Sequence, residues 1–171
     1  RIIGPEESSG PSTEADGIMT KEVNSALCIS TADCLPVLLA SEKDGAIIAL
    51  HAGWKGLEAE IIAKAAGQLV SFGISPNGFC AFVGPHISPK RFEVGLDVAE
   101  RLDATFAKVR FEGTDSIVNS HPEPGKKLVD LDKLTRAQLK IIGVKSDQVK
   151  ILEVDTMTNP EYHSYRRDGA S

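Results

Sequence analysis

The sequence predicts a single α+β domain, a layered core of mixed β-sheets with helices outside. Short apolar runs and segments of helical period intermix along the 171 residues without the strict alternation of a doubly wound sheet. No G-x-G-x-x-G follows a strand, which disfavours a nicotinamide-dependent enzyme. With 42% hydrophobic and 25% charged residues the chain can bury one sizeable core, so residues 1–171 read as one domain.

The first twenty residues are rich in Gly, Ser, Pro and Glu and read as a surface loop leading to Gly17-Ile18-Met19-Thr20, with little order expected before about Thr13. Residues 27–30 and 35–40 read as strands separated by a break at Asp33-Cys34. Glu42-Lys43-Asp44-Gly45 is a turn, and its Asp-Gly pair predicts a hairpin into 46–50. That next run, Ala46-Ile47-Ile48-Ala49-Leu50, is apolar throughout, which predicts burial on both faces.

After Gly56, Leu57, Ile61, Ile62, Ala65, Ala66 and Leu69 fall at helical spacing, and Gly73 marks the end of that helix. Residues 79–83 form a further strand, followed by the irregular loop Gly84-Pro85-His86-Ile87-Ser88-Pro89. Amphipathic helices follow at 96–106 and 131–142, the second begun by Asp130 and ended by Gly143, and 148–154 is the last strand. His121 falls in an exposed loop, His121-Pro122-Glu123-Pro124-Gly125.

The formal charge of -5 gives no broad basic surface, so binding to nucleic acid through phosphate neutralisation is disfavoured. No run of about 18 apolar residues exists to span a membrane. Three cysteines, an odd number in strand-like runs, suit a reducing cytoplasm rather than a disulfide framework. Cys28 and Cys80, inside apolar runs, read as small buried hydrophobes.

Cys34 differs. It sits between Asp33 and Leu35-Pro36, at a break in the ladder, and His51 begins His51-Ala52-Gly53-Trp54-Lys55-Gly56 at the end of the next apolar run. A cysteine and a histidine at the ends of neighbouring strands support either a metal site or a Cys-His nucleophile. Backbone N-H groups at the start of the following helix, with Gly53 and Gly56 for close approach and Lys55 for charge, form a candidate anion pocket; the same glycines also suit plain strand-to-helix packing. His86 is a candidate substrate ligand, although a lone loop histidine is more often solvated. Tyr165-Arg166-Arg167-Asp168 is a charged cluster near the C-terminus that reads by composition as a solvated end.

The chain resembles the laccase-domain proteins, once called multicopper polyphenol oxidases and now regarded as purine nucleoside phosphorylases with adenosine deaminase activity. The resemblance lies in Ala15-Asp16-Gly17, Thr31-Ala32-Asp33-Cys34-Leu35-Pro36-Val37-Leu38-Leu39, His51-Ala52-Gly53-Trp54-Lys55-Gly56-Leu57, Gly84-Pro85-His86-Ile87 followed by Phe92-Glu93-Val94, and Ser164-Tyr165-Arg166-Arg167-Asp168-Gly169. These stand in the family's order and cover nearly the whole chain. Lys55 stands where an arginine is common in the family; it keeps the charge and loses the planar fork of donors.

The resemblance implies a zinc held by Cys34, His51 and an upstream histidine of a Gln-x-His-Gly motif that this chain does not contain. It also implies a final Gly-Arg element and strand beyond Ser171. The chain therefore reads as a fragment lacking that N-terminal segment and its extreme C-terminus. Purine nucleosides and phosphate are the implied substrates, cleaved to base and ribose 1-phosphate. Asp33 is a candidate proton carrier or orienter of the ligand, and Lys55, Arg166 or Arg167 are candidates by charge for the phosphate. Two other readings stand beside it: a metal-free Cys-His hydrolase or deamidase, and a copper-dependent phenol oxidase, which four scattered histidines poorly supply. A non-enzymatic interaction module is a further reading.

Overall fold

The computed structural model describes residues 2–3 and 14–169. The described chain forms the expected mixed α+β layers. A six-stranded sheet in the order β1-β2-β4-β3-β5-β9 carries the core, and a three-stranded antiparallel sheet, β6-β8-β7, stands beside it. In the large sheet, β1 is Ile2–Ile3, β2 Gly17–Thr20, β3 Leu35–Ser41, β4 Ala46–Ala52, β5 Cys80–Val83 and β9 Val149–Ile151. The small sheet comprises β6 Glu93–Gly95, β7 Val118–Ser120 and β8 Lys126–Val129. The helices are α1 Trp54–Glu58, α2 Ile61–Ser71, α3 Leu96–Val109, α4 Leu131–Ile141 and α5 Tyr165–Asp168.

β3 and β4 form the hairpin that the Asp44-Gly45 pair predicts. Ser41 pairs with Ala46, the Ser41 hydroxyl donates to Asp44 Oδ2 at 2.7 Å, and Gly45 takes the left-handed turn position at φ +62°. Alternation along these strands sends Leu35, Val37, Leu39, Ile48 and Leu50 inward against the helices, each under 3% exposed. Each such side chain contributes about 1.5–3 kcal/mol by leaving water. The opposite face is less covered than the apolar run 46–50 predicts. Ile47 is half-buried, and Leu38 and Phe82 remain 41% and 36% exposed beside an apolar cavity of about 570 Å³.

Four further expectations change. Residues 27–30 form no strand: both edges of β4 are paired, by β2 and by β3, and the run belongs to neither sheet. Cys34 therefore precedes a strand rather than closing one. Cys28 and Cys80 are exposed, not buried, Cys28 because its segment is not in a sheet and Cys80 because it points to the open face of β5. The single helix expected over 57–69 is two, α1 and α2, broken where Glu60 adopts a left-handed conformation at φ 56°. Ile2–Ile3 pair in parallel with Gly17–Ile18, so the presumed loop opens with a strand. Residues 4–13 of the expected loop lie outside the described residues.

The two later helices match their signals. Asp130 caps α4 by accepting from the Lys133 N-H at 2.9 Å, and Gly143 just past its end takes φ +94°. The last strand is shorter than expected, Val149–Ile151, because from Leu152 the chain leaves the sheet. His121 is half-buried rather than exposed, its Nε2 2.9 Å from Glu93 Oε2.

Gly17 shows why that position tolerates no side chain. A Cβ there would lie 2.7 Å from Leu50 Cδ2 and 2.8 Å from Ile2 Cγ1. Gly17→Ala is expected to destabilise the fold by about 1–3 kcal/mol through overpacking between β1 and β4. Chemical denaturation with an unchanged m-value and a lowered midpoint checks this.

Candidate functional site

The β3–β4 register builds the site. Leu35 pairs with Ala52 and Pro36 with His51, so continuing the ladder by one residue sets Cys34 opposite Gly53. His51 lies on β4 two residues before Gly53, which keeps an extended backbone (φ −71°, ψ 169°) just past the strand and so continues its alternation. The consequence is direct. A single point one bond-length above Gly53 Cα, where a Cβ would sit, is 3.0 Å from Cys34 Sγ and 3.9 Å from His51 Nε2. The missing side chain leaves the space into which thiol and imidazole both turn.

A thiolate and an imidazole are the donor types of tetrahedral zinc, and this Gly53 cradle fits such a pair of ligands. Left to itself, the thiol is not activated. Burial first, then the negative charges of Asp33 and Asp16, push the Cys34 thiol above its ordinary value of 9.0. A divalent cation would invert that balance, since it favours the thiolate.

Asp33 organises the surrounding chain. It is 7% exposed and adopts φ 79°, a left-handed conformation that Asp tolerates better than most residues. Its Oδ1 accepts from the Thr156 hydroxyl at 2.6 Å, and its Oδ2 accepts from the Ser164 hydroxyl at 3.1 Å and the Arg166 N-H at 2.7 Å. Its own carbonyl accepts from the Ile87 N-H at 3.0 Å. Three segments distant in sequence, at 87, 156 and 164–166, thus meet at the residue before Cys34.

The two arginines divide their roles. Arg167 is fully engaged: it grips Asp168 with two nitrogens at 2.8 Å each and donates to the carbonyls of Thr156, Met157, Asn159 and Tyr162. It is a strut for the 156–162 turn and offers no free donor to a phosphate. Arg166 donates to the Glu93 carbonyl at 2.6 Å, lies over the Phe92 ring, and lines a cavity of about 270 Å³ together with Cys34, Trp54, Ile87, Phe92 and Tyr165. A second cavity, about 540 Å³, shares Trp54 and Arg166 with the first. Lys55 is exposed, stands outside both walls and lies over the Trp54 ring at 5.6 Å. Since α1 has only five residues, the expected anion pocket at its N-terminus has little dipole behind it.

His86 does not line the Cys34 cavity and is not solvated. It is 3% exposed, with Nδ1 2.8 Å from the Gly84 carbonyl and Nε2 2.6 Å from Asp132 Oδ1. The partners of Asp33, Thr156 and Ser164, escape a reading of the sequence. The one local signal is Ser164 three residues before Arg167, the spacing of an N-cap, and the Ser164 hydroxyl does accept from the Arg167 N-H.

Among the described residues, Glu93, His121 and Glu123 also bring three ligand atoms within 4.8 Å of one another, a group able to hold a metal ion. The Lys126 ammonium already lies 2.7 Å from Glu93 Oε1 and 2.8 Å from Glu123 Oε2. That hydrogen bond holds the Glu93 carboxyl below its ordinary value.

The chain belongs to the family described as multi-copper polyphenol oxidoreductase laccases, which it matches over residues 2–171. Among curated proteins it is 39% identical over 156 residues to the purine nucleoside phosphorylase of Bacteroides thetaiotaomicron, covering 90% of this chain and 56% of that protein. It is 32% identical to the purine nucleoside phosphorylase of Haemophilus influenzae, covering 94% and 62%. The chain thus spans about three-fifths of the length of these relatives. Among solved structures it superposes on Neisseria meningitidis protein NMB0706 with a TM-score of 0.83 at 31% identity, covering 99% of this chain and 66% of that one. YlmD from Geobacillus stearothermophilus gives 0.80 at 25% identity, covering 91% and 56%.

Gly53 permits a clean test of the cradle. Its φ of −71° is open to any residue, so Gly53→Ala strains no backbone and acts only by placing a methyl against Cys34 Sγ. The variant is expected to melt within a few degrees of the parent and to bind zinc at least tenfold more weakly, measured by competition with a chromophoric chelator. Unchanged zinc affinity would show that Cys34 and His51 do not share a metal.

Proposed function

We propose that this chain is the main catalytic part of a purine nucleoside phosphorylase that also deaminates adenosine and uses zinc. One observation carries the reading: Cys34 Sγ and His51 Nε2 turn into the same space above Gly53, beside an apolar cavity into which Arg166 projects. The names of the curated relatives support the substrate class.

In this reading Cys34 and His51 hold the zinc, with the third histidine that the family resemblance implies lying outside residues 1–171. Bound zinc supplies a Lewis acid that activates water or polarises a substrate oxygen. The purine ring packs against the apolar wall of Trp54, Ile87, Phe92 and Tyr165, which also excludes water from the glycosidic bond. Arg166 holds the phosphate through its remaining guanidinium donors, the Glu93 carbonyl fixing the fork's direction. Asp33 acts by position. Its oxygens already accept three hydrogen bonds, so it holds Arg166 and the Cys34 loop together rather than carrying a proton.

The metal-free Cys-His hydrolase needs a depressed thiol, whereas burial and two neighbouring carboxylates raise Cys34. A multicopper oxidase needs clustered imidazoles, but His51 borders Cys34, His86 is held by Asp132 and His121 by Glu93.

The full-length protein is expected to release base and ribose 1-phosphate from adenosine or inosine only when phosphate is present. Arg166→Ala should raise the KM for phosphate about 10- to 100-fold, the worth of a charge-assisted contact of about 1.5–3 kcal/mol. Lys55→Ala should change it less than about threefold, as a screened surface charge. Base release independent of phosphate would overturn the phosphorylase reading.

A second measurement separates zinc from thiol chemistry. Because burial and the neighbouring carboxylates raise the metal-free Cys34 thiol, its alkylation should be slow at neutral pH and climb with pH as the thiolate fraction grows, with no plateau until strongly alkaline pH. Removing metal by chelation should abolish activity, and adding zinc should restore it. Activity retained after complete metal removal would establish the hydrolase instead.

A further inference from the structure

We propose that His86 is a positioning residue: a buried imidazolium that pins α4 to the 152–156 segment and, through Ile87 and Thr156, holds the Asp33-Cys34 loop in place. Nδ1 faces the Gly84 carbonyl at 2.8 Å, and a carbonyl only accepts, so Nδ1 carries a proton. Nε2 lies 2.6 Å from Asp132 Oδ1, and a bare nitrogen lone pair that close to a carboxylate oxygen would repel it, so Nε2 carries a proton too. The ring is thus the doubly protonated form. The Asp132 contact acts as an ion pair, since no donor is aligned for a hydrogen bond to Oδ1.

The neighbourhood agrees with a cation. Burial pulls His86 down, but the Asp132 carboxylate by bonding and charge, the Gly84 carbonyl and the charge of Asp155 together raise it above the ordinary 6.5. A cavity of about 460 Å³ lined by His86 and Asp132 also presents Glu153 on the 152–156 segment and Lys90 on the turn after His86. Asp132 is therefore the facing charge from α4, Asp155 and Glu153 those from the 152–156 segment, and Lys90 the cation that shares this cavity with them.

The backbone around the ring carries its position to the site. The His86 N-H donates to the Val154 carbonyl, and the His86 carbonyl accepts from the Thr156 N-H. The Thr156 hydroxyl then bonds Asp33 Oδ1, and the Ile87 N-H bonds the Asp33 carbonyl. Two routes one residue long join the imidazolium to the residue before Cys34. The sign follows from linkage. A histidine raised by folding contributes stability that is fully present below the unfolded value of 6.5 and is lost as pH rises through the folded midpoint. Raising the pH should loosen the Asp33-Cys34 loop before the rest of the fold.

The proposal rests on the placement of the site at Cys34 and His51, and its test reads the ring and the loop directly. In the full-length protein labelled with ¹⁵N, long-range ring correlations from pH 5.5 to 9 should show both His86 nitrogens protonated at pH 7, with a midpoint above 6.5. Asp132→Asn should lower that midpoint by about 1–3 units. Amide exchange at Ile87 and Thr156, corrected for its intrinsic pH dependence, should rise at least tenfold as the parent crosses its midpoint, and this step should move with the midpoint in Asp132→Asn. A neutral ring at pH 7 overturns the proposal. So does a ring that titrates while Ile87 and Thr156 show no step. If these signals appear and no nucleoside is cleaved, the substrate reading fails and the positioning role stands.

Discussion

The site depends on one buried carboxylate. Asp33 occupies a left-handed backbone conformation that costs on the order of 1–3 kcal/mol for a residue with a side chain, and it is nearly removed from water. Both penalties are offset by three hydrogen bonds to its charged oxygens, each contributing about 1.5–3 kcal/mol. The donors come from residues 156, 164 and 166. Without the carboxylate, the C-terminal helix α5 and the turn before it would have no polar anchor to the Cys34 loop, and Arg166 would not stand at the cavity. The turn in the backbone also redirects the chain so that Cys34 meets the end of β4 as β3 begins.

The parts of the fold that were legible are those whose signals are local. The Asp44-Gly45 hairpin, the Asp130 cap and the stop at Gly143 each rest on side-chain or backbone chemistry within a few residues, and no tertiary contact competes with them. Residues 27–30 failed for the opposite reason. Their composition suits a strand, but β2 and β3 already take both edges of β4, and the run joins neither sheet. The break between α1 and α2 was equally hidden, because apolar spacing is the same on both sides of Glu60 and only its left-handed backbone separates them.

At the site, residue types were legible and their partners were not. Cys34 and His51 stand out because a nucleophile or ligand beside a Pro or Gly punctuates an apolar run, and the β3–β4 pairing then brings them to one space. The division between Arg166 and Arg167 has no such mark. Two adjacent arginines on a short helix point to different sides, and only the carbonyls of the 156–162 turn decide which becomes a strut. His86 was misread as a solvated loop residue because its partner, Asp132, is 46 positions away at the start of α4.

Charge at this end of the sheet is arranged in opposition. Asp16 and Asp33 bear on the Cys34 thiol and, with burial, hold it protonated, while Arg166, which lines the same cavity, donates to the Glu93 carbonyl. An enzyme built around a free thiolate would place a cation or an imidazolium against the sulfur, as the lowered values of such thiols require. Negative surroundings serve a different chemistry. They add to the attraction for a divalent cation, whose charge then outweighs the carboxylates, deprotonates the thiol and leaves the anionic neighbours to hold the ligand set together. The same acidic setting that disfavours Cys34 as a lone nucleophile thus agrees with the proposed role of metal ligand, while Arg166 is the guanidinium that lines the cavity beside it.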